Sequence, residues 1–346
     1  MAKTRIGLEI TEEGVRGVEV TTGRSPSLMA IGEVPLPRDA ARDSEVLDPE
    51  AVTLALRQLW STAGFRGKRV TLSVGSRRIL VREYTTQAMS PQLLKQALPY
   101  QVQDLLPVPV SQAVLDFYPT SQIGDQVSGL LVAAVAENIE QLIAALSRAK
   151  LSVDRVDLVP FGLARVGKIL AAPNDTVAVI HLGDHTSYVS VVTNGIPHFV
   201  RIIPVEIATS ATRRHEGDSA VGEVMEEAFE PVGASGIIPR RPTGRAAMRS
   251  SGPAVTPAVT ELVSRLRSTV SFFQGREGAP RIVQVLMSGA GFLAPGVAEA
   301  AASAFDVPVI PVRLEQLANT RGRPISDDLA FDAVASVGVL LGEGSK

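Results

Sequence analysis

Residues 5–36, RIGLEITEEGVRGVEVTTGRSPSLMAIGEVPL, and residues 177–205, VAVIHLGDHTSYVSVVTNGIPHFVRIIPV, share one plan. Each reads as strand, polar turn, strand, glycine turn, strand. Thr22-Gly23 and Asn194-Gly195 fall at matching places and suit tight hairpins. A three-stranded meander carried twice, each copy followed by helix and strand signals, predicts a duplicated α/β architecture with two lobes. At 346 residues the chain is long enough for each lobe to bury its own core.

More structure is predicted between the copies. PEAVTLALRQLWSTA (49–63) fits a helix, with Asp48 as N-cap and Pro49 in the first turn. Val70 to Val74 fits a buried strand. The order then becomes strand 78–86, helix 90–106, strand 112–118, strand 128–135, helix 137–149, strand 153–158. Ser90-Pro91 starts its helix well, and Pro99 should kink or break it. This β-α-β-β-α-β block reads as an inserted subdomain rather than part of the repeat. Residues 229–257 are rich in Gly, Pro, Ser and Arg and read as a mobile loop. Docking of an acidic partner by Arg240, Arg241, Arg245 and Arg249 is the alternative there. Beyond it come an amphipathic helix at 257–274, with Leu262, Leu266, Val270 and Phe273 as its core face, and a strand at 281–287. The turn Ser288-Gly289-Ala290-Gly291 follows, then helices near 295–304 and 327–341. The divisions expected are 1–78 (lobe I), 79–158 (inserted subdomain), 159–175 (completing lobe I), 176–326 (lobe II) and 327–346 (a last helix).

A formal net charge of −2 sets up no global field for nucleic acid or anionic lipid. The absence of cysteine excludes disulfides, thiolate catalysis and Cys-based zinc sites. His181, His185, His198 and His215 are too scattered for an obvious metal cage. The N-terminus lacks the apolar core of a signal peptide, and Gly129 to Ala136, the longest uncharged apolar run, is far short of a membrane span. The expectation is a cytoplasmic protein that meets a membrane through partners.

Three stretches fall at strand ends: Gly7 to Arg16, His181 to Ser187, and Ser288 to Gly291. In a duplicated fold the two hairpin tips face each other across a cleft, and glycine turns let backbone N–H groups approach a phosphate. Together with the repeat, these stretches resemble the first phosphate loop, second phosphate loop and adenosine loop of the actin-like ATPase superfamily. Within it the chain is similar to the PilM family of type IV pilus assembly proteins, and more distantly to FtsA. The resemblance is carried by VTLSVGSRRILVREYTTQAMSPQLLKQAL (70–98), LLPVPVSQAVLDF (105–117), VDRVDLVPFGLARV (153–166), VTELVSRLRSTVSFFQ (259–274) and VLMSGAGFLAPGVAEAAASAFDVPV (285–309). It implies a duplicated actin-like, ribonuclease H-like two-lobe fold with a PilM/FtsA-type insertion. It also implies ATP with Mg²⁺ as cleft ligand, and Glu9, Thr11, Arg16, His181, Gly183, Asp184, His185, Thr186, Gly289, Ala290 and Gly291 as the residues lining it.

The departures from the family pattern matter. The first loop, Gly7-Leu8-Glu9-Ile10-Thr11, has Glu where the family has Asp and lacks its second glycine; Glu12 and Glu13 follow. The second loop opens with His181 in place of Asp, and the adenosine loop has Ala290 in place of Gly. A neutral imidazole is a poor ligand for hard, oxygen-seeking Mg²⁺. A carboxylate about 4 Å from a phosphate costs on the order of 4 kcal/mol at an effective dielectric of about 20. Arg16 is the single local counter-charge. Hydrolysis and tight ATP binding are therefore not expected, and no catalytic or metal residue is assigned. Glu9 reads equally as a metal-side carboxylate or an exposed strand-end acid. For His181 a structural role, satisfied by a neighbour, outweighs a general-base role.

Family resemblance implies a scaffold that binds the N-terminal peptide of a PilN-like bitopic membrane protein, in a groove beside residues 79–118, and couples it to the pilus motor ATPase. The alternatives are an active ATPase or sugar-kinase relative, for which no substrate-side acid is visible, and an FtsA-like filament protein. FtsA-like chains end in an amphipathic anchor, whereas this sequence ends in LLGEGSK; relatives of GspL type continue into a membrane span not found here.

Overall fold

A computed structural model describes residues 3–23, 25–214 and 256–341. The first repeat forms β1 (Thr4–Ile10), β2 (Gly14–Thr21) and β3 (Leu28–Pro35), followed by a small hairpin of β4 (Ala41–Arg42) and β5 (Glu45–Val46). Helix α1 (Pro49–Ala63) begins at Asp48, whose side chain accepts the N–H groups of Glu50 and Ala51, and stops at Gly64 in the left-handed region (φ 73°). It buries Val52, Leu56 and Leu59, and β6 (Arg69–Val74) follows.

The intervening block consists of β7 (Leu80–Gln87), α2 (Pro91–Val102), β8 (Ala113–Ile123), β9 (Gln126–Val135), α3 (Ala136–Arg148) and β10 (Ser152–Leu158), the expected β-α-β-β-α-β order. Helix α2 runs through Pro99 for three more residues and then tightens into a 3-10 turn at Gln103–Leu105, so the proline does not break it where it stands. The pairing divides this block. Strands β7, β9 and β8 form a three-stranded sheet of their own. Strand β10 instead pairs in parallel with β6, and Leu142, Ala145 and Leu146 of α3 pack in the core of the first lobe.

After α4 (Val159–Leu170), the second repeat forms β11 (Thr176–Leu182), β12 (Thr186–Thr193) and β13 (Ile196–Pro204). Asn194 (φ 53°) and Gly195 (φ 84°) make the two-residue turn joining β12 to β13. The matching position in the first repeat is looser. Thr21 donates to the Ser27 carbonyl, so Thr22-Gly23 opens a longer connection rather than a tight hairpin.

Helix α5 (Pro257–Gln274) is capped by Thr256 and buries Leu262, Leu266, Val270 and Phe273. Strand β14 (Ile282–Ser288), α6 (Val297–Ala304), β15 (Val309–Pro311) and α7 (Asp327–Gly338) complete the described chain. Residues 342–346, at the end of the expected last helix, lie outside the described residues. So does the predicted loop 229–257 up to 255, with Arg240, Arg241, Arg245 and Arg249, as does His215.

The two main sheets have the same order: β3-β2-β1-β6-β10 and β13-β12-β11-β14-β15. The duplication therefore extends past the meanders, with β10 the counterpart of β15. Each lobe has an apolar core, and a third apolar cluster joins them. In it, Val159, Leu163 and Val166 of α4 meet Val177 and Val179 of β11, while Val334 and Val337 of α7 share the cluster with Val18 of β2. Each lobe's last helix thus packs on the other lobe. The two helices touch backbone to backbone: a Cβ on Gly162 would lie 2.9 Å from the Val339 nitrogen, and one on Gly338 2.7 Å from the Gly162 oxygen.

Candidate functional site

The tips of the two hairpins, β1–β2 and β11–β12, face each other. Cross-strand register places Glu9, Arg16 and Glu33 side by side on β1, β2 and β3. From the opposite lobe come Asp184, in the turn after β11, and Asp332, on α7. Arg16 Nη2 lies 3.0 Å from Asp184 Oδ2 and 3.1 Å from Asp332 Oδ2; its Nε is 3.5 Å from Glu33 and its Nη1 4.0 Å from Glu9. Arg16, Asp184, Asp332 and Glu9 are all buried. Asp184 also accepts the Thr209 hydroxyl at 2.5 Å, and Asp332 accepts the Ala290 N–H at 2.7 Å.

One guanidinium cannot neutralise this many buried carboxylates. Burial pushes Asp332 up to about 8 and Glu9 up to about 7, with Arg16 opposing the rise in each. Asp184 goes the other way: Arg16 and the Thr209 bond outweigh its burial and hold it below the usual carboxylate range. The cluster therefore keeps protons at neutral pH that an unfolded chain would release.

His181 is buried and hydrogen-bonded through Nδ1 to the Ser288 hydroxyl at 2.9 Å. Burial, reinforced by the Arg16 charge, lowers it to about 3, so it is neutral. His185, at the rim, bonds Glu13 Oε1 at 2.7 Å, and that bond raises its pKa. Tyr188 donates its hydroxyl to the Gly75 carbonyl at 2.6 Å, again across the cleft. A Cβ on Gly75 would lie 2.0 Å from that oxygen.

The remaining predicted site residues serve the turns themselves. The Thr11 hydroxyl accepts the Gly14 N–H, and the Thr11 N–H bonds the Gly14 carbonyl. The Gly183 N–H bonds the Thr186 carbonyl, and Thr186 pairs with Pro204 on β13. A Cβ on Gly289 (φ 87°) would meet the Leu182 oxygen at 2.2 Å, and one on Gly291 the same atom at 2.9 Å. These two glycines are demanded by close packing on β11. Glu9 is not the exposed strand-end acid that was one of its two readings. Nor are Glu12 and Glu13 unshielded: Glu12 accepts the Asp43 N–H, and Glu13 pairs with His185.

A cavity of about 610 Å³, lined by Arg42, Arg77 and Arg265 among others, shares Glu12 and His185 with the space between the tips, which is itself about 40 Å³ and bounded by Glu9, Arg16, Gly75, His181, Asp184 and Tyr188 among others. The space between the tips admits one or two waters; small-molecule sites run to about 300 Å³ and more. Among the described residues no group of three or more His, Asp or Glu side chains is set to hold a metal ion. A nucleotide triphosphate with Mg²⁺ does not fit between the tips: the one arginine there is engaged by carboxylates, and the turn groups bond one another.

The structure brings Glu9, Thr11, Arg16, Gly183, Asp184, His185, Thr186 and His181 to one place, with Ala290 linked through Asp332. Sequence reading missed Glu33, Gly75, Tyr188, Thr209 and Asp332, and it placed Ser288 in the turn after β14 without making it a site residue. Of these, Asp332 carried a signal, as a lone acid inside the apolar stretch LAFDAVASVGVLL.

Residues 7–202, over half the chain, match the family described as type IV pilus assembly protein PilM. The chain belongs to the PilM family. Among solved structures it is similar to a PilM-PilN type IV pilus biogenesis complex, at 22% identity and a TM-score of 0.77, with 99% of each chain covered. It is also similar to the cytoplasmic domain of EpsL, an inner-membrane component of the type II secretion system of Vibrio cholerae (9% identity, TM-score 0.50, 99% and 96% covered). The ethanolamine utilization protein EutJ of Carboxydothermus hydrogenoformans gives 12% identity and a TM-score of 0.50, with 99% and 90% covered. At these identities the structures establish the actin-like fold. The matched family span includes both hairpins and the three-stranded sheet, and ends before Gly289. No described helix is long and apolar enough to cross a membrane.

Proposed function

We propose that this chain is a scaffold of type IV pilus assembly that neither binds ATP tightly nor hydrolyses it. The observation that carries the reading is the engagement of Arg16 by Asp184 and Asp332 at hairpin tips that leave about 40 Å³ between them. An incoming phosphate has to displace two buried carboxylates and then sit beside them. Neutral His181, bonded to Ser288, adds no metal-side carboxylate.

Its partner is the N-terminal peptide of a PilN-like membrane protein, which holds the scaffold at the cytoplasmic face of the inner membrane. Family membership supports this, as does the likeness to a chain solved with PilN. We place the groove where the inserted sheet meets the first lobe, at a seam that has to widen for a peptide, since the gap there is about 10 Å³. Ile79, Val135, Ile139 and Leu142 line it, and Glu45, which accepts from Asn138 and ion-pairs with Arg78, lines it too. Apolar walls with an acid among them suit an extended apolar-basic peptide. We read residues 80–135 as the inserted module, with α3 and β10 as parts of the first lobe.

Fluorescence anisotropy with the labelled tail peptide tests the reading. Saturable binding is expected, weakened at least tenfold by Ile139→Asp with the circular dichroism spectrum unchanged. No binding by the intact chain contradicts the scaffold reading. Undiminished binding by the variant contradicts the groove.

A further inference from the structure

We propose that Arg16 and its carboxylate partners stand in for a nucleotide as the tie between the two lobes, so that the cleft is closed without any ligand. The inference concerns regulation of the same cleft and rests on the reading of that cleft as non-binding, not on the peptide partner. Two separate parts of the second lobe bond the one guanidinium, and each is held by a further segment. The β11–β12 turn supplies Asp184, itself held by Thr209. Helix α7 supplies Asp332, and through it the Ala290 N–H of the turn after β14. From the first lobe, Glu9 and Glu33 flank Arg16 in register.

Two further bonds cross the cleft: the Tyr188 hydroxyl to the Gly75 carbonyl, and Glu13 to His185. Among the described residues Arg16 is the one Arg or Lys bounding the space of about 40 Å³ at the tips, while Arg42, Arg77 and Arg265 line the larger cavity beside it. An anionic group that reaches the tips therefore competes with the tie for the same guanidinium. Release of Arg16 leaves the Asp184 carboxylate buried without its counter-ion and Asp332 without its partner, which is costly. A ligand that only bound the open form would have to overcome that preference first. Partner binding by this chain is accordingly independent of nucleotide.

The apolar cluster at the α4–α7 contact lies apart from this tie, so breaking the tie leaves the lobes joined but free to open at the tips. Because the sequence has no cysteine, Ser61→Cys on α1 and Ser268→Cys on α5, both exposed, give a clean spin-label pair, one on each lobe. Pulsed electron spin resonance on the full chain should show one narrow distance, unchanged by millimolar Mg-ATP. In the neutral triple variant Arg16→Met, Asp184→Asn, Asp332→Asn a second, longer population should appear. Should the triple variant not fold, Arg16→Lys replaces it. It keeps the charge, but its ammonium stops short of the position where Nη2 meets both acids and it has no second nitrogen to face Glu33 and Glu9, and the same broadening is expected. A distance in the otherwise native chain that moves with Mg-ATP overturns the proposal, as does a folded variant with an unchanged distribution. Failure of peptide binding bears only on the scaffold reading; a distance that moves with Mg-ATP overturns the non-binding reading along with the tie, and an unchanged distribution in the folded variant overturns the tie alone.

Discussion

Arg16 faces Glu9, Glu33, Asp184 and Asp332, of which Glu33 also pairs with Arg214 at 3.2 Å, and the chemistry of the cleft follows from the three buried acids left to one guanidinium. Removing one partner of a buried ion pair costs about 3–5 kcal/mol, because the others remain charged and dry. Arg16→Met is therefore expected to lower stability by about that amount in urea unfolding. The neutral triple variant should lose less, since Glu9, the buried acid left beside position 16, is kept protonated by its burial. The titration directions combine to give an optimum. Glu9 and Asp332 are raised, so their stabilisation is complete at acid pH and lost as pH rises through about 7 and 8. His185 is raised and loses its contribution in the same direction. His181 is lowered to about 3, so the unfolded chain gains a proton near pH 6.5 that the folded chain refuses, and its own contribution falls with further acid. Between about pH 4.5 and 6.5 the two raised acids outweigh His181, so melting temperature should be highest near pH 4 and fall between pH 6 and 9 by roughly 4 kcal/mol of stability. Asp332→Asn should flatten the alkaline side; an unchanged alkaline slope refutes the assignment. Little of this was legible in the sequence beyond Arg16 as the local counter-charge. Asp332 and Glu33 reach the site through sheet register and helix packing, which no local pattern encodes.

At the scale of elements, short-range signals carried far. The repeat, the Asp48 cap, the Asn194-Gly195 turn and the apolar face of α5 depend on neighbours in sequence, and each stands where the pattern put it. Partner choice in the sheets depends on distant segments. The 79–158 block shows the difference: its element order was readable, but the pairing of β10 with β6 was not. The repeat does contain the clue, since β10 fills the place that β15 fills in the second sheet. The backbone contact of α4 with α7 gives an element-level prediction. Gly162→Ala gains up to about 1 kcal/mol of helix propensity. The new Cβ, however, meets main-chain atoms of Gly338 and Val339 that cannot move aside as a flexible side chain can. Overpacking of this kind costs about 1–3 kcal/mol. The net effect should be a lower urea midpoint at unchanged slope; a stabilised variant contradicts the packing argument.

For the whole molecule, the apolar cluster shared by α4, α7, β2 and β11 joins the lobes at one level, and the charged tie joins them at the hairpin tips. Two lobes held at both levels behave as one body, which suits a scaffold better than a machine that opens each cycle. Ligand linkage gives the sharpest test of that account. A ligand at about a hundred times its dissociation constant adds about 2.7 kcal/mol to the folded state, a rise of several degrees in melting temperature. Differential scanning calorimetry of the full chain at pH 7, with and without millimolar Mg-ATP, is the direct measurement. The account predicts coincident melting curves. A melting temperature that climbs with Mg-ATP concentration would show that Arg16 yields to phosphate, and the closed, ligand-independent cleft would be wrong.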